Sequence, residues 1–145
     1  MSDAALSKPT VRLTRRLDAS PERVFDAWTD PEQVRQWLVP GTMVMAAIEV
    51  ELKVGGRFHF TMQGEDKHEH RCVYREIERP RRLVFTWSSS ATDGKDTLVT
   101  VEIEPAGEGS ELTLTHEGFA DDAMAALHNG GWTACLEKLS PFVEG

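Results

Sequence analysis

The chain has 145 residues, and 16 Lys plus Arg against 24 Asp plus Glu leave a net charge of −8. This length suffices for one domain with a real core, and the acidic balance disfavours nucleic acid or an anionic membrane as the main partner. Met1 to Pro9 shows no apolar secretory stretch, no apolar run nears the ~20 residues of a bilayer span, and Cys72 and Cys135 form no C-x-x-C, so a cytoplasmic domain over residues 1–145 with free thiols is expected.

Val11, Leu13 and Leu17 alternate with polar residues and predict a first strand from Thr10 to Asp18. Arg15 shares their parity, so it either points inward toward a polar partner or reaches solvent from the strand end, the commoner outcome. Ser20-Pro21-Glu22-Arg23-Val24 and Asp30-Pro31-Glu32-Gln33-Val34 repeat one grammar: a cap, a proline in the first turn and an acid beside it. They predict two short helices, one presenting Val24, Phe25 and Trp28, the other Val34, Trp37 and Leu38. Helices this short need a larger surface to dock on. Pro40-Gly41 ends the pair.

Six strands follow. They run from Met43 to Leu52, Arg57 to Met62, His70 to Glu78, Leu83 to Trp87, Thr97 to Glu104 and Glu111 to Glu117. Alternation puts Phe58, Phe60 and Met62 on one face, then Cys72 with Tyr74, Leu83 with Phe85 and Trp87, Val99 with Val101 and Ile103, and Leu112 with Leu114 and His116. Ser88 to Lys95 reads as a loop of small and polar residues. A last helix from Asp121 to Val143, capped and charged by Asp121-Asp122, would be roughly 33 Å long. Its broad face gathers Met124, Leu127, His128, Gly131, Trp132, Cys135, Leu136, Leu139 and Phe142. Each glycine of Gly130-Gly131 costs about 1 kcal/mol against Ala in a helix. They imply close backbone packing, the commoner reason, or a space for something else. One strand, two helices, six strands and a long helix make an α+β pattern, a curved antiparallel sheet wrapping the terminal helix.

The chain shows no phosphate-cradling loop, no G-x-S-x-G elbow and no H-E-x-x-H. His68 and His70 share a face if their strand starts early, but two ligands are too few for a closed metal site, and a solvated hairpin tip accounts for them. No metal or cofactor is expected. Cys72 with His116 lacks a third orienting group for a thiolate pair, and buried inert Cys is commoner. Arg15, Tyr74, His116, His128 and the indoles of Trp28, Trp37, Trp87 and Trp132 remain. They fit an apolar pocket with a few orienting groups, or a core whose polar tips find backbone partners.

In order and spacing, these stretches resemble the START-like, helix-grip superfamily (SRPBCC), in the branch called activator of heat-shock-protein-90 ATPase homologue-like. The matching stretches are Ser20 to Glu32, Trp37-Leu38-Val39-Pro40-Gly41, Val54-Gly55-Gly56-Arg57-Phe58, Ile77 to Trp87, Leu112 to Phe119 and Gly130-Gly131-Trp132 with Leu136 and Leu139. The resemblance implies a helix-grip fold with a cavity between sheet and terminal helix that takes hydrophobic small molecules. Some relatives are cyclases, aromatases or hydrolases, and the branch name carries a stress-response association. The chain lacks the extra N-terminal domain of the co-chaperones behind that name, so a chaperone partner is disfavoured. Leu38 stands where many relatives have a second aromatic, which would reshape one end of the cavity.

The expected function is binding, without catalysis, of a small hydrophobic and aromatic ligand, as monomer or homodimer. Leu13, Trp28, Trp37, Phe58, Phe60, Cys72, Phe85, Trp87, Val101, Leu114, Leu127, Gly131, Trp132 and Cys135 would form the wall. Arg15, Tyr74, His116 and His128 would be polar anchors, and the helix pair or the Ser88–Lys95 loop would move for release. The alternatives are an enzyme using His116 or His128 as acid–base and a protein-interaction or chaperone-regulating module.

Overall fold

Each helix begins where a side chain satisfies an amide that its first turn leaves without a partner. Ser20 accepts from the Arg23 amide ahead of α1 (Pro21–Thr29) and Asp30 from the Glu32 amide ahead of α2 (Pro31–Trp37). Asp121 accepts from the Met124 amide ahead of α3 (Asp122–Glu144). The two short helices both open on proline, as their shared sequence grammar requires. The computed structural model describes residues 9–145; all but Pro9 of the segment read above as free of a secretory leader lies outside the described residues.

The strands are β1 (Thr10–Leu17), β2 (Val44–Val50), β3 (Arg57–Gln63), β4 (Lys67–Glu78), β5 (Arg82–Trp87), β6 (Thr97–Ala106) and β7 (Gly109–Glu117). They form one curved sheet in the order β1-β7-β6-β5-β4-β3-β2, with every neighbouring pair antiparallel. The meander from β2 to β7 is closed by β1 on the outer side of β7, so α1 and α2 carry the chain from one sheet edge to the other. Bulges at Met45/Ala47 and Tyr74/Glu76 interrupt the register, and bulges bend the strands that contain them. This is the helix-grip arrangement expected from the sequence.

Aromatic side chains fill the middle of the grip. Trp28 meets Trp37 edge-on at 4.6 Å between centroids, and Phe58 stacks on Tyr74 at 5.6 Å and meets Phe85 edge-on at 5.3 Å. The Trp37 indole N–H donates to the Ala27 carbonyl at 2.8 Å, locking α2 onto α1. Arg23 fastens the pair to the end of α3, donating to Gln33 and, at 3.1 Å, to the Phe142 carbonyl, with its guanidinium over the Phe142 ring.

Four sequence expectations need correction. His68-Glu69-His70 is no hairpin tip, because β4 starts at Lys67 and both histidines lie within the strand. The segment after Trp87 is less open than a polar loop. It makes a 3-10 turn at Ser90–Thr92, closed by reciprocal Ser89 and Thr92 side-chain bonds, with Thr92 buried. Finally, a Cβ placed on Gly130 or Gly131 would meet nothing within 4 Å, so neither glycine serves close packing. Leu127, expected on the buried stripe, is 63% exposed.

Gly130 has neither a positive φ nor a neighbour to clash with. Gly130→Ala is therefore expected to stabilise the fold by up to about 1 kcal/mol, read as a higher urea midpoint with an unchanged slope.

Candidate functional site

The filled grip leaves space at one end, where β3 and β5 finish and β4 begins. An apolar cavity of about 210 Å³ opens there. Met62, His68, His70 and Trp87 line it from the sheet, and Ser89, Ser90 and Ala91 from the turn after β5. Leu38, Pro40 and Met43 follow α2, and Leu127, His128, Gly131, Trp132 and Cys135 come from α3. Among the described residues no carboxylate, ammonium or guanidinium lines it. Lys138 braces the outer rim from α3, donating to the carbonyls of Val39 at 2.8 Å and Gly41 at 2.6 Å.

Three buried histidines surround this end, and their partners decide their tautomers. An indole N–H can only donate, so the 3.0 Å contact from Trp132 Nε1 makes His116 Nδ1 an acceptor. His116 Nε2 must then carry the proton and donates to Thr97 Oγ1 at 2.6 Å, and that hydroxyl donates to the Trp87 carbonyl at 2.7 Å. His128 and His70 show the opposite tautomer. Their Nδ1 atoms lie 2.8 Å from the Met124 carbonyl and 3.0 Å from the His68 carbonyl, and a carbonyl only accepts. Burial pushes the His116 pKa down to about 2, with the charge of neighbouring His128 adding to it. Burial pushes His70 down to about 4 and lowers His128 as well. Cys135 is a neutral thiol, pushed up to about 12 by burial. The described residues contain no group of three or more His, Cys, Asp or Glu arranged to hold a metal ion.

Of the expected wall and anchors, Trp87, Leu127, His128, Gly131, Trp132 and Cys135 reach the cavity. Trp28, Trp37, Phe58, Phe60, Cys72, Tyr74, Phe85, Val101 and Leu114 are packed in the core instead, and Leu13 is half-buried beside it. Arg15 keeps the inward parity, but its guanidinium turns to the Thr14 carbonyl at the surface. Tyr74 offers no anchor to the cavity; its hydroxyl is buried without a partner among the described residues, as are the indole nitrogens of Trp28 and Trp87. His116 has both nitrogens committed within the protein and does not line the cavity.

Sequence reasoning missed His68, His70, Met62, Pro40, Met43 and the Ser89–Ala91 turn. His70 was within reach, because it opens the strand read from His70 to Glu78 and shares the parity of Cys72 and Tyr74; extending that strand by two residues adds His68. The turn residues carry no comparable signal.

The family model described as Activator of Hsp90 ATPase homolog 1-like protein matches residues 18–144. Among solved structures, protein CV1439 from Chromobacterium violaceum is 29% identical, over 94% of this chain and 98% of its own, with a TM-score of 0.88. The AHSA1 protein from Silicibacter pomeroyi is 27% identical, over 91% and 95% of the two chains, with a TM-score of 0.80. Comparison with curated proteins gives no match.

The buried imidazoles make folding pH-dependent with a definite sign. Above pH 6.5 they are neutral in both states and contribute no ionisation term. As pH falls from 6.5 toward 4 for His70 and toward 2 for His116, the unfolded chain binds protons that the folded chain refuses, so stability falls. At pH 5 His116 alone removes about 2 kcal/mol. Urea midpoints at pH 7.5 and 5.0 should show this loss, and His116→Gln should shrink the difference by about that amount.

Proposed function

The chain belongs to the Activator of Hsp90 ATPase homolog 1-like family, and from that premise we propose that the end cavity holds a small, largely apolar molecule built on one aromatic ring, without changing it chemically. The observation that carries this reading is Gly131. It borders the cavity at mid-helix, where a side chain would meet no neighbour, so the helix gives up about 1 kcal/mol at a place where packing does not require it. The space so kept is apolar and uncharged.

Its size suits one ring. A cavity of about 150 Å³ takes benzene, and drug-sized ligands occupy roughly 300 Å³ or more, so about 210 Å³ fits a single substituted ring. Burying roughly 150 Å² of such a ring contributes about 4 kcal/mol, which by itself corresponds to affinity near the millimolar range. Tighter binding therefore has to come from polar contacts. Binding without chemistry is supported by the lining, in which Cys135 is held as a thiol by burial. His128 has one ring nitrogen committed to its own helix.

Native mass spectrometry before and after mild denaturation should reveal a small molecule that co-purifies and is lost on unfolding. With toluene as a defined probe, the melting temperature should rise in the wild type and in Gly130→Ala, but not in Gly131→Leu, whose side chain occupies the space. An equal rise in Gly131→Leu would show that the cavity is not where toluene binds.

A further inference from the structure

Two histidines on the cavity wall are alike in a way the bare apolar volume does not require. His70 comes from β4 and His128 from α3, so they approach the cavity from the sheet and from the helix. Each has its Nδ1–H tied to a backbone carbonyl, which leaves Nε2 as the nitrogen with the lone pair. Neither Nε2 has a hydrogen-bond partner among the described residues, and neither is among the buried atoms left unsatisfied; both therefore keep some exposed surface.

The rings are also held in place. His70 stacks on Phe60 at 4.7 Å with 6° between the planes, and its ring and that of Trp87 are T-shaped at 4.9 Å. His128 lies against His116 at 5.2 Å and Phe119 at 4.7 Å, and those two rings are 4.4 Å from each other. Burial keeps both imidazoles neutral near pH 7. The other polar groups on the lining residues are His68, the two serines, the Cys135 thiol and the indole nitrogens of Trp87 and Trp132; Ser89 Oγ already accepts from the Ala91 amide, Trp132 Nε1 donates to His116, and Trp87 Nε1 is buried without a partner among the described residues.

We infer that the cavity selects an occupant with a neutral hydrogen-bond donor on its ring, a phenolic hydroxyl or a ring N–H, received by the Nε2 lone pair of His70 or of His128. This rests on the binding function proposed above and names the chemical class that the site takes. A carboxylate of the same shape is disfavoured, because it would bring negative charge against these lone pairs in a wall with no ammonium or guanidinium. A purely hydrocarbon ring is accepted but leaves both acceptors dry and unpaired.

Isothermal titration calorimetry with 4-ethylphenol, its methyl ether and 4-ethylbenzoate at pH 7.5 tests the inference. The phenol should bind most tightly and the benzoate least. Replacing both acceptors, His70→Phe with His128→Phe, should reduce the phenol-to-ether affinity ratio about tenfold, the effect of roughly one hydrogen bond. An unchanged ratio in a variant that still melts cooperatively would overturn the donor selectivity and leave the binding function standing. If none of the three binds the wild type, both fall. Should the variant not fold, 15N NMR of the wild type decides. The unprotonated ring nitrogen of His70 or of His128 should move upfield with the phenol and stay put with the ether, and no movement of either with the phenol refutes the assignment.

Discussion

The hydrogen-bond chain through His116 joins the sheet to the helix. It runs from the Trp132 indole on α3 through the imidazole on β7 to the Thr97 hydroxyl on β6 and the Trp87 carbonyl on β5. A fully buried imidazole is tolerable only when both nitrogens are paired, and here the indole donor permits one tautomer alone. The chain therefore sets where Trp132 lies, and with it the rotation of α3 about its axis. Gly131 and His128 face the cavity because Trp132 is held in that position. The same bond keeps the Trp132 ring 5.1 Å from Trp87 and 5.8 Å from Trp28, where it separates the filled core from the open end.

One residue type serves opposite purposes a few ångströms apart. His116 uses both nitrogens inside the protein and is structural. His70 and His128 use one nitrogen for the backbone and keep the other available. What separates the two classes is the nature of the nearest partner: an indole donor next to His116, carbonyl acceptors next to the others. Burial keeps all three neutral near pH 7 at the expense of acid stability.

The fold was largely legible in the chain. Ser20, Asp30 and Asp121 cap the helices at the positions their sequence contexts predict, and the alternation around Phe58, Phe85, Val101 and Leu114 places those residues inside. The site was legible only in part. His128, Gly131 and Trp132 stood out because a histidine and a glycine interrupt an apolar helix stripe. Trp28, Phe58, Phe60 and Tyr74 are inward by the same periodicity as Trp87, yet they fill the grip while Trp87 borders its open end. Periodicity reports which face a residue takes, not whether the space in front of it is occupied.

Local chemistry along the chain, through capping residues, prolines, turns and two-residue or helical alternation, determined the elements, their order and the inward set. Each of those signals acts between residues close in sequence. The tertiary structure alone decided which inward residues became core and which became wall. It also decided that Gly131 opens a space instead of admitting a close neighbour, and which nitrogen of each histidine carries the proton. Those outcomes depend on partners brought together from distant positions, such as Thr97 and Trp132 at His116, and no local pattern encodes their distance or direction.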